Sequence, residues 1–417
     1  MSAFALLAFV ALPAADVSAQ SLDVAPAKVG VVDTRAAYEA ELLADAGDRS
    51  LLLDDASPSG FIKGKFTLSD GNTNTLNIGG FMQNRYFANV RDTATDSEDF
   101  THGFQTSRAR LKFSGSIWDK KFTYNVLTEL STSTGSATLM DAEARYTFDS
   151  KMYIRAGQFK PLFNREENIS DTAQLTVERS ITNSVFSLTR AQGVGFGWAG
   201  EKVRVGADIH DGGSTLNTAF DSNKEADFAI TSRVDWLWAG DNFKRFDDMT
   251  SFKGAGYAGM LGAAIDFETF GETGGGAAEK DVLGATVDAS MEGNGWNAFV
   301  AALYRNTSPD ASDEVTDWGI LAQFGIFVTE QAELFARYDI VMPDDSDGPD
   351  DFSTFTVGAN YYVSPQSHAV KVTGDVVYFP DAEADSALIP APARNANLLT
   401  DTEGDQWGLR LQLQVVF

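Results

Sequence analysis

Three cations at alternate positions carry the clearest chemical signal in this chain: Arg108, Arg110 and Lys112, in the run Ser107-Arg-Ala-Arg-Leu-Lys-Phe113. A strand places residues i, i+2 and i+4 on one face. The three therefore form a basic ladder roughly 13 Å long at ~3.3 Å per residue, with Ala109, Leu111 and Phe113 on the other face. Turned toward lipid, each cation would cost ~2–4 kcal/mol near the midplane of a membrane. The ladder must face water. The same alternation places Gln83 and Arg85 inward, then Asn125 and Glu129, then Asp141, Glu143 and Arg145, then Arg155. Later strands add Lys202, Arg204 and Asp208, then Glu333, Arg337 and Asp339, and Arg410. Cations facing carboxylates across a lumen set up a transverse field that a permeating ion must cross.

The elements that position these residues are strands. The final run Trp407-Gly-Leu-Arg-Leu-Gln-Leu-Gln-Val-Val-Phe417 alternates apolar and largely polar residues and ends on an aromatic residue, as outer-membrane barrels do. Counting from Leu76 gives sixteen strands, with Phe61–Ser69 as an extra lead-in. An even number is what closure of an antiparallel barrel demands. Tight turns (Ser116–Lys121, Ala199–Lys202, Met291–Gly295, Val328–Gln331, Ser364–Ser367) alternate with longer acidic connections at Asp92–Phe100, Pro309–Asp317, Pro343–Asp351 and Asp381–Asp405. Outward positions such as Tyr124, Tyr146, Trp236, Trp296, Tyr304 and Tyr361 suit interfacial aromatic girdles. The fold expected is an all-β transmembrane antiparallel barrel of about 16 strands over residues 61–417. Residues 1–19 read as a signal peptide, with Val17-Ser18-Ala19 as the cleavage site. Residues 20–60, helix-prone around Arg35–Ala46, read as a periplasmic extension.

Composition narrows the function. The absence of cysteine removes disulfides and thiolate chemistry. A net charge of −27 argues against nucleic acid. Mean hydropathy is −0.17, and no long uncharged apolar run follows residue 19, which argues against membrane helices. The acidic run Asp344–Asp351 lacks the closing Glu of a calcium loop. Gly193-Val-Gly-Phe-Gly197 lacks the strand–helix context of a dinucleotide fingerprint. His102, His210 and His368 are scattered. The sequence therefore predicts no catalytic residue, no metal and no cofactor.

From Ser107 to Gly200 the chain resembles the phosphate-selective porin O and P family. The segments that carry the likeness are Ser107-Arg-Ala-Arg-Leu-Lys-Phe-Ser-Gly-Ser116, Asp141-Ala-Glu-Ala-Arg-Tyr146, Ile154-Arg-Ala-Gly-Gln-Phe-Lys-Pro161 and Glu178-Arg-Ser180. Phe61–Phe87 and the terminal Phe417 also fit that pattern. The resemblance implies a sixteen-stranded outer-membrane barrel, usually a homotrimer, with a long loop folded inward to narrow the pore. Lys160–Arg190 occupies that place, with Lys160, Arg165, Glu178, Arg179 and Arg190 as its charged candidates. It also implies passage of phosphate along inward basic residues, matched here by Arg108, Arg110, Lys112, Arg145 and Arg155, with Arg85, Glu129, Asp141 and Glu143 as further lining candidates. Ser107 stands where the family often carries another arginine. The expected partners are outer-membrane lipid and small solutes or inorganic anions. The leading expectation is a porin for passive diffusion, with some anion or phosphate preference. The alternatives are a non-conducting structural or adhesive barrel and a soluble β-rich binding protein.

Overall fold

A computed structural model describes residues 59–417, apart from 63–64, 94–95, 132–133, 274–277, 345–350, 382–387 and 389–403. The expected signal peptide, the expected extension up to residue 58 and the middle of the acidic run at 344–351 lie outside the described residues.

Two short strands lead in, β1 (Gly60–Ile62) and β2 (Lys65–Ser69). The wall begins with β3 (Thr75–Thr93), β4 (Asp96–Ile117), β5 (Asp119–Leu130), β6 (Ala137–Thr147) and β7 (Met152–Phe159). It continues through β8 (Ala191–Ala199), β9 (Val203–His210), β10 (Phe228–Ala239), β11 (Ala258–Phe270) and β12 (Lys280–Gly293). The remaining staves are β13 (Trp296–Pro309), β14 (Val315–Phe327), β15 (Ala332–Met342), β16 (Phe352–Tyr362), β17 (Val370–Phe379) and β18 (Gln406–Val416). Each pairs antiparallel with its sequence neighbour, and β18 pairs with β3 from Trp407↔Val90 to Val416↔Phe81. The result is a closed 16-stranded antiparallel barrel formed by β3–β18.

The terminal residue finishes the closure. Gly80 N–H donates to the Phe417 carbonyl at 2.6 Å, and Phe417 N–H donates back at 2.9 Å. A Cβ on Gly80 would lie 2.4 Å from the Arg110 carbonyl oxygen and 3.1 Å from the Phe417 ring. Only glycine lets the last residue seat there. β2 pairs with the first residues of β3, Ser69↔Thr75 to Phe66↔Ile78, on the edge that β18 leaves free.

Burial alternates along the staves. On β14 the inward residues are buried and the outward ones exposed, over most of its length. Ile154, Val205, Ile265, Val287, Ile320, Phe324, Val357 and Leu413 are among the exposed outward residues. So large an apolar surface would be untenable in water, and it forms the lipid-facing band of a membrane barrel. Aromatic pairs border it on both sides: Tyr304–Trp318 and Tyr378–Trp407 near the long-loop rim, Trp118–Phe122 and Tyr257–Trp296 near the short-turn rim.

Two expectations need correction. Asp92–Phe100 is not a loop: β3 runs to Thr93 and β4 starts at Asp96, so the pair extends as a ribbon. The strand expected over 251–270 begins only at Ala258. Residues 240–257 are instead a long connection at the rim where every other turn is short.

Candidate pore and constriction

Between β7 and β8 the chain leaves the wall and fills part of the lumen. This segment carries two short helices, α1 (Arg165–Asn168) and α2 (Ile181–Phe186), with a 3-10 turn at Asp171–Ala173. Each begins on a side-chain cap: Asn164 receives the Glu166 N–H, Ser170 the Thr172 N–H, and Ser180 the Asn183 N–H.

The segment has a polar edge and an apolar edge. Along the polar edge, Asp171 and Glu178 meet the wall arginines. Arg108 bonds Glu178 at 2.6 Å and lies 3.3 Å from Asp171. Arg110 pairs with Asp171 and, at 3.0 Å, with Glu129. Arg85 is almost wholly buried, bonding Glu178 at 2.9 Å, Gln412 at 2.7 Å and the Val177 carbonyl at 2.9 Å. Arg179 joins Asp171 at 2.5 Å and also donates to the Ile169 carbonyl. Burial pushes both loop carboxyls up, but the guanidiniums outweigh it and hold them well below the usual carboxylate range. For Asp171 these are Arg179, Arg110 and Arg108; for Glu178, Arg108 and Arg85.

Along the apolar edge, Ile169, Leu175, Ile181 and Phe186 pack with Phe299, Leu303, Leu321, Phe335, Val341, Phe352 and Phe379 from β13–β17. Wall side chains also tie the loop backbone there. Asp339 accepts from Ile181 N–H, Asp375 from Val177 N–H, and Lys371 donates to the Gln174 carbonyl.

The remaining candidates fall into two groups. Arg155 is buried in a bidentate pair with Asp208, at 2.7 and 3.0 Å, and stacks over Phe159. Arg165 points away from β4, donating to Ser290 Oγ at 2.9 Å and the Phe246 carbonyl at 2.8 Å. Other cations border open space to different degrees, Lys112 and Arg145 being accessible and Lys160 and Arg190 largely buried. Lys112 is exposed and has no ion-pair partner among the described residues. Arg145, paired with Glu143 at 3.0 Å, keeps 37% of its side chain accessible and stacks over Tyr153. Arg190 pairs with Asp141 at 2.9 Å. Lys160 pairs with Glu167 at 2.9 Å, yet burial brings its ammonium pKa down to about 8 despite that partner.

These cations border two cavities. One, of about 480 Å³, is lined by Lys65, Arg110, Lys112, Lys160 and Arg190 against Asp141 and Asp171. The other, of about 760 Å³, has Arg145, Lys151, Arg165, Arg204 and Arg233 against Asp235 and Asp247. They share Asn168 and Ser170 at the tip of the loop. Both walls hold more cations than carboxylates, although the chain as a whole is at −27.

Sequence reasoning missed the apolar wall. Its signal was present: on β13, Phe299, Ala301 and Leu303 face inward while Val300 and Tyr304 face outward, so both faces are apolar and both must be covered.

One cluster among the described residues brings metal-ligating side chains together: His210, Asp266 and Glu268. His210 Nδ1 accepts the Gly212 N–H, and Nε2 bonds the Thr231 hydroxyl, which donates to Asp266 at 2.6 Å. Both ring nitrogens are engaged, so a cation could take one only by breaking this relay.

Comparison with known proteins agrees with this architecture. No curated protein matches the chain by sequence. Among solved structures, the anion-selective porin from Comamonas acidovorans is 12% identical with a TM-score of 0.56, covering 82% of this chain and all (100%) of that one. The outer-membrane channel DcaP of Acinetobacter baumannii is 14% identical with a TM-score of 0.55, covering 83% and 98%. The trimer form of OmpT, an outer-membrane protein of Vibrio cholerae, is 12% identical with a TM-score of 0.54, covering 83% and 100%. At such identities the likeness is one of fold. Residues 77–242, which include the basic ladder and the inward loop, match the pattern of the phosphate-selective porin O and P family. With that match, a closed barrel and a lipid-facing band, the chain is an outer-membrane porin whose residues 77–242 are similar to the phosphate-selective porin O and P family.

Proposed function

We propose that the protein passes small inorganic anions by passive diffusion, along the lumen wall formed by β4–β9, with no catalytic residue involved. The observation that carries this reading is the cationic lining of the two cavities beside the constriction loop, in a protein whose net charge is strongly negative. A focused positive lining raises the local anion concentration whatever the charge of the distant surface.

The candidate residues divide into two roles. Arg85, Arg108, Arg155 and Arg179 are spent in short ion pairs and hold the loop and wall in place. Lys112 and Arg145 present charge to the solute directly, and the paired Lys160 and Arg190 add to the lining of the smaller cavity, with Glu129, Asp141 and Glu143 moderating it. Arg110 does both: it clamps Asp171 and borders the smaller cavity. Phosphate suits this lining because its oxygens accept several charge-assisted hydrogen bonds at once. A homotrimer is the proposed assembly, supported by the family and by the trimer form recorded for the Vibrio cholerae neighbour. Short turns face the periplasm and long acidic loops the exterior, as is general for such barrels.

The test is the zero-current potential of single channels in planar bilayers under a KCl gradient. Anion preference in the wild type, weakened in Lys112→Glu, is the expected result. Cation preference in the wild type would exclude the reading.

A further inference from the structure

The connection between β10 and β11, residues 240–257, stands apart from the other turns at its rim, the next longest being 363–369. It does not extend into solvent. A 3-10 turn at Phe243–Asp247 starts it, capped by Asn242. Phe246 is then buried with Leu237, Ala258 and Met260, and the chain passes beneath the constriction loop before returning to the wall.

Its contacts run in two directions. Upward, Met249 N–H donates to the Ala173 carbonyl at 3.1 Å, and the Met249 side chain joins the apolar cluster that holds Ile169 and Leu175. The Phe246 carbonyl receives Arg165 Nη1 at 2.8 Å, which fixes the first turn of the loop from below. Sideways, the connection is fastened to the wall at three points. Asp248 bonds His368 at 2.7 Å, the Thr250 and Tyr362 hydroxyls meet at 3.0 Å, and Ser251 donates to the Gly293 carbonyl at 2.7 Å. A segment braced on the wall and bearing on the tip of another loop transmits position between them.

We propose that residues 240–257 form an internal strut: they position the constriction loop from the short-turn rim and close the β10–β17 side of the lumen, so that this second loop sets the width of the pore. Arg165 and Met249 are its positioning residues. The inference rests on the reading of the protein as a conducting porin. It adds that the aperture is defined jointly by two loops entering from opposite rims.

The experiment compares single-channel conductance in KCl for the wild type, Arg165→Met, Met249→Ala, and a chain in which 241–256 are replaced by Asn-Gly. Heat-dependent gel mobility confirms a folded barrel in each case. The strut predicts that the replacement raises unitary conductance by about twofold or more and lowers the permeability of phosphate relative to chloride, because a wider lumen selects less by close contact. Arg165→Met and Met249→Ala should move both readouts in the same direction by less, and they keep the test decisive if the replacement fails to fold. Folded variants with wild-type conductance and selectivity, beside a conducting wild type, would overturn the strut alone. A wild type that never conducts would instead overturn the porin reading, and the strut with it.

Discussion

The two sides of this lumen strike a different balance between charge and apolar packing. On the β4–β9 side, wall and loop meet through charges, and cavities of about 480 and 760 Å³ remain open. On the β13–β17 side they meet through Phe299, Leu321, Phe335 and Phe352, interleaved with polar tethers from Arg305, Arg337, Asp339, Asn360, Asp375 and Lys371. The difference teaches how an inward loop can be held firmly and still leave a passage. Apolar packing supplies adhesion where no solute must pass. Paired charges supply orientation where one must, because they tolerate neighbouring water in a way that an apolar contact does not.

The contrast can be broken first on the apolar side. Leu321→Asp would bury an unpaired carboxylate beneath the loop, and it should abolish the heat-modifiable folded form or lower its unfolding midpoint drastically. Second comes Glu178→Ala, which leaves Arg85 and Arg108 without their shared carboxylate. Stranding buried charge in this way costs roughly 3–5 kcal/mol, read as a lower denaturant midpoint and a noisier, larger conductance. Third, Lys112→Glu on the open side should change folding stability by less than about 0.5 kcal/mol, yet lower the anion-to-cation permeability ratio severalfold. The smallest effect is that of pH. Lys160, with its pKa near 8, carries its charge below that value and loses it above. Anion preference should therefore weaken modestly as pH rises from 7 to 9, and Lys160→Arg should remove the dependence.

Much of this was legible in the sequence, since alternation is local. Arg108, Arg110 and Lys112 sit on the face their spacing gave them, and the strand count from Leu76 onward matches β3–β18. What spacing could not show is which charges are consumed. Arg108 meets Glu178 at a separation of 70 residues, and Arg85 meets Gln412 at 327, so no window along the chain contains both partners. Lys112 and Arg108 read alike as sequence but differ in the structure, one open and one clamped. The strut was missed for a different reason. Ser251–Tyr257 leads without a break into the true strand at Ala258, and its Phe and Gly content suits a strand as well as a loop bound in the lumen. The ribbon at β3–β4 reads as a loop in sequence because its acidic residues resemble those of a solvated connection.

In the proposed reading, a cationic passage along β4–β9 governs what crosses, whatever the net charge of −27 on the whole chain. It is tested most directly by the zero-current potential of wild-type single channels under a KCl gradient, repeated with Lys112→Glu. Anion selectivity is expected in the wild type, with a severalfold loss of it in the variant at unchanged heat modifiability. A cation-selective wild type, or a variant with unaltered zero-current potential, would contradict that reading.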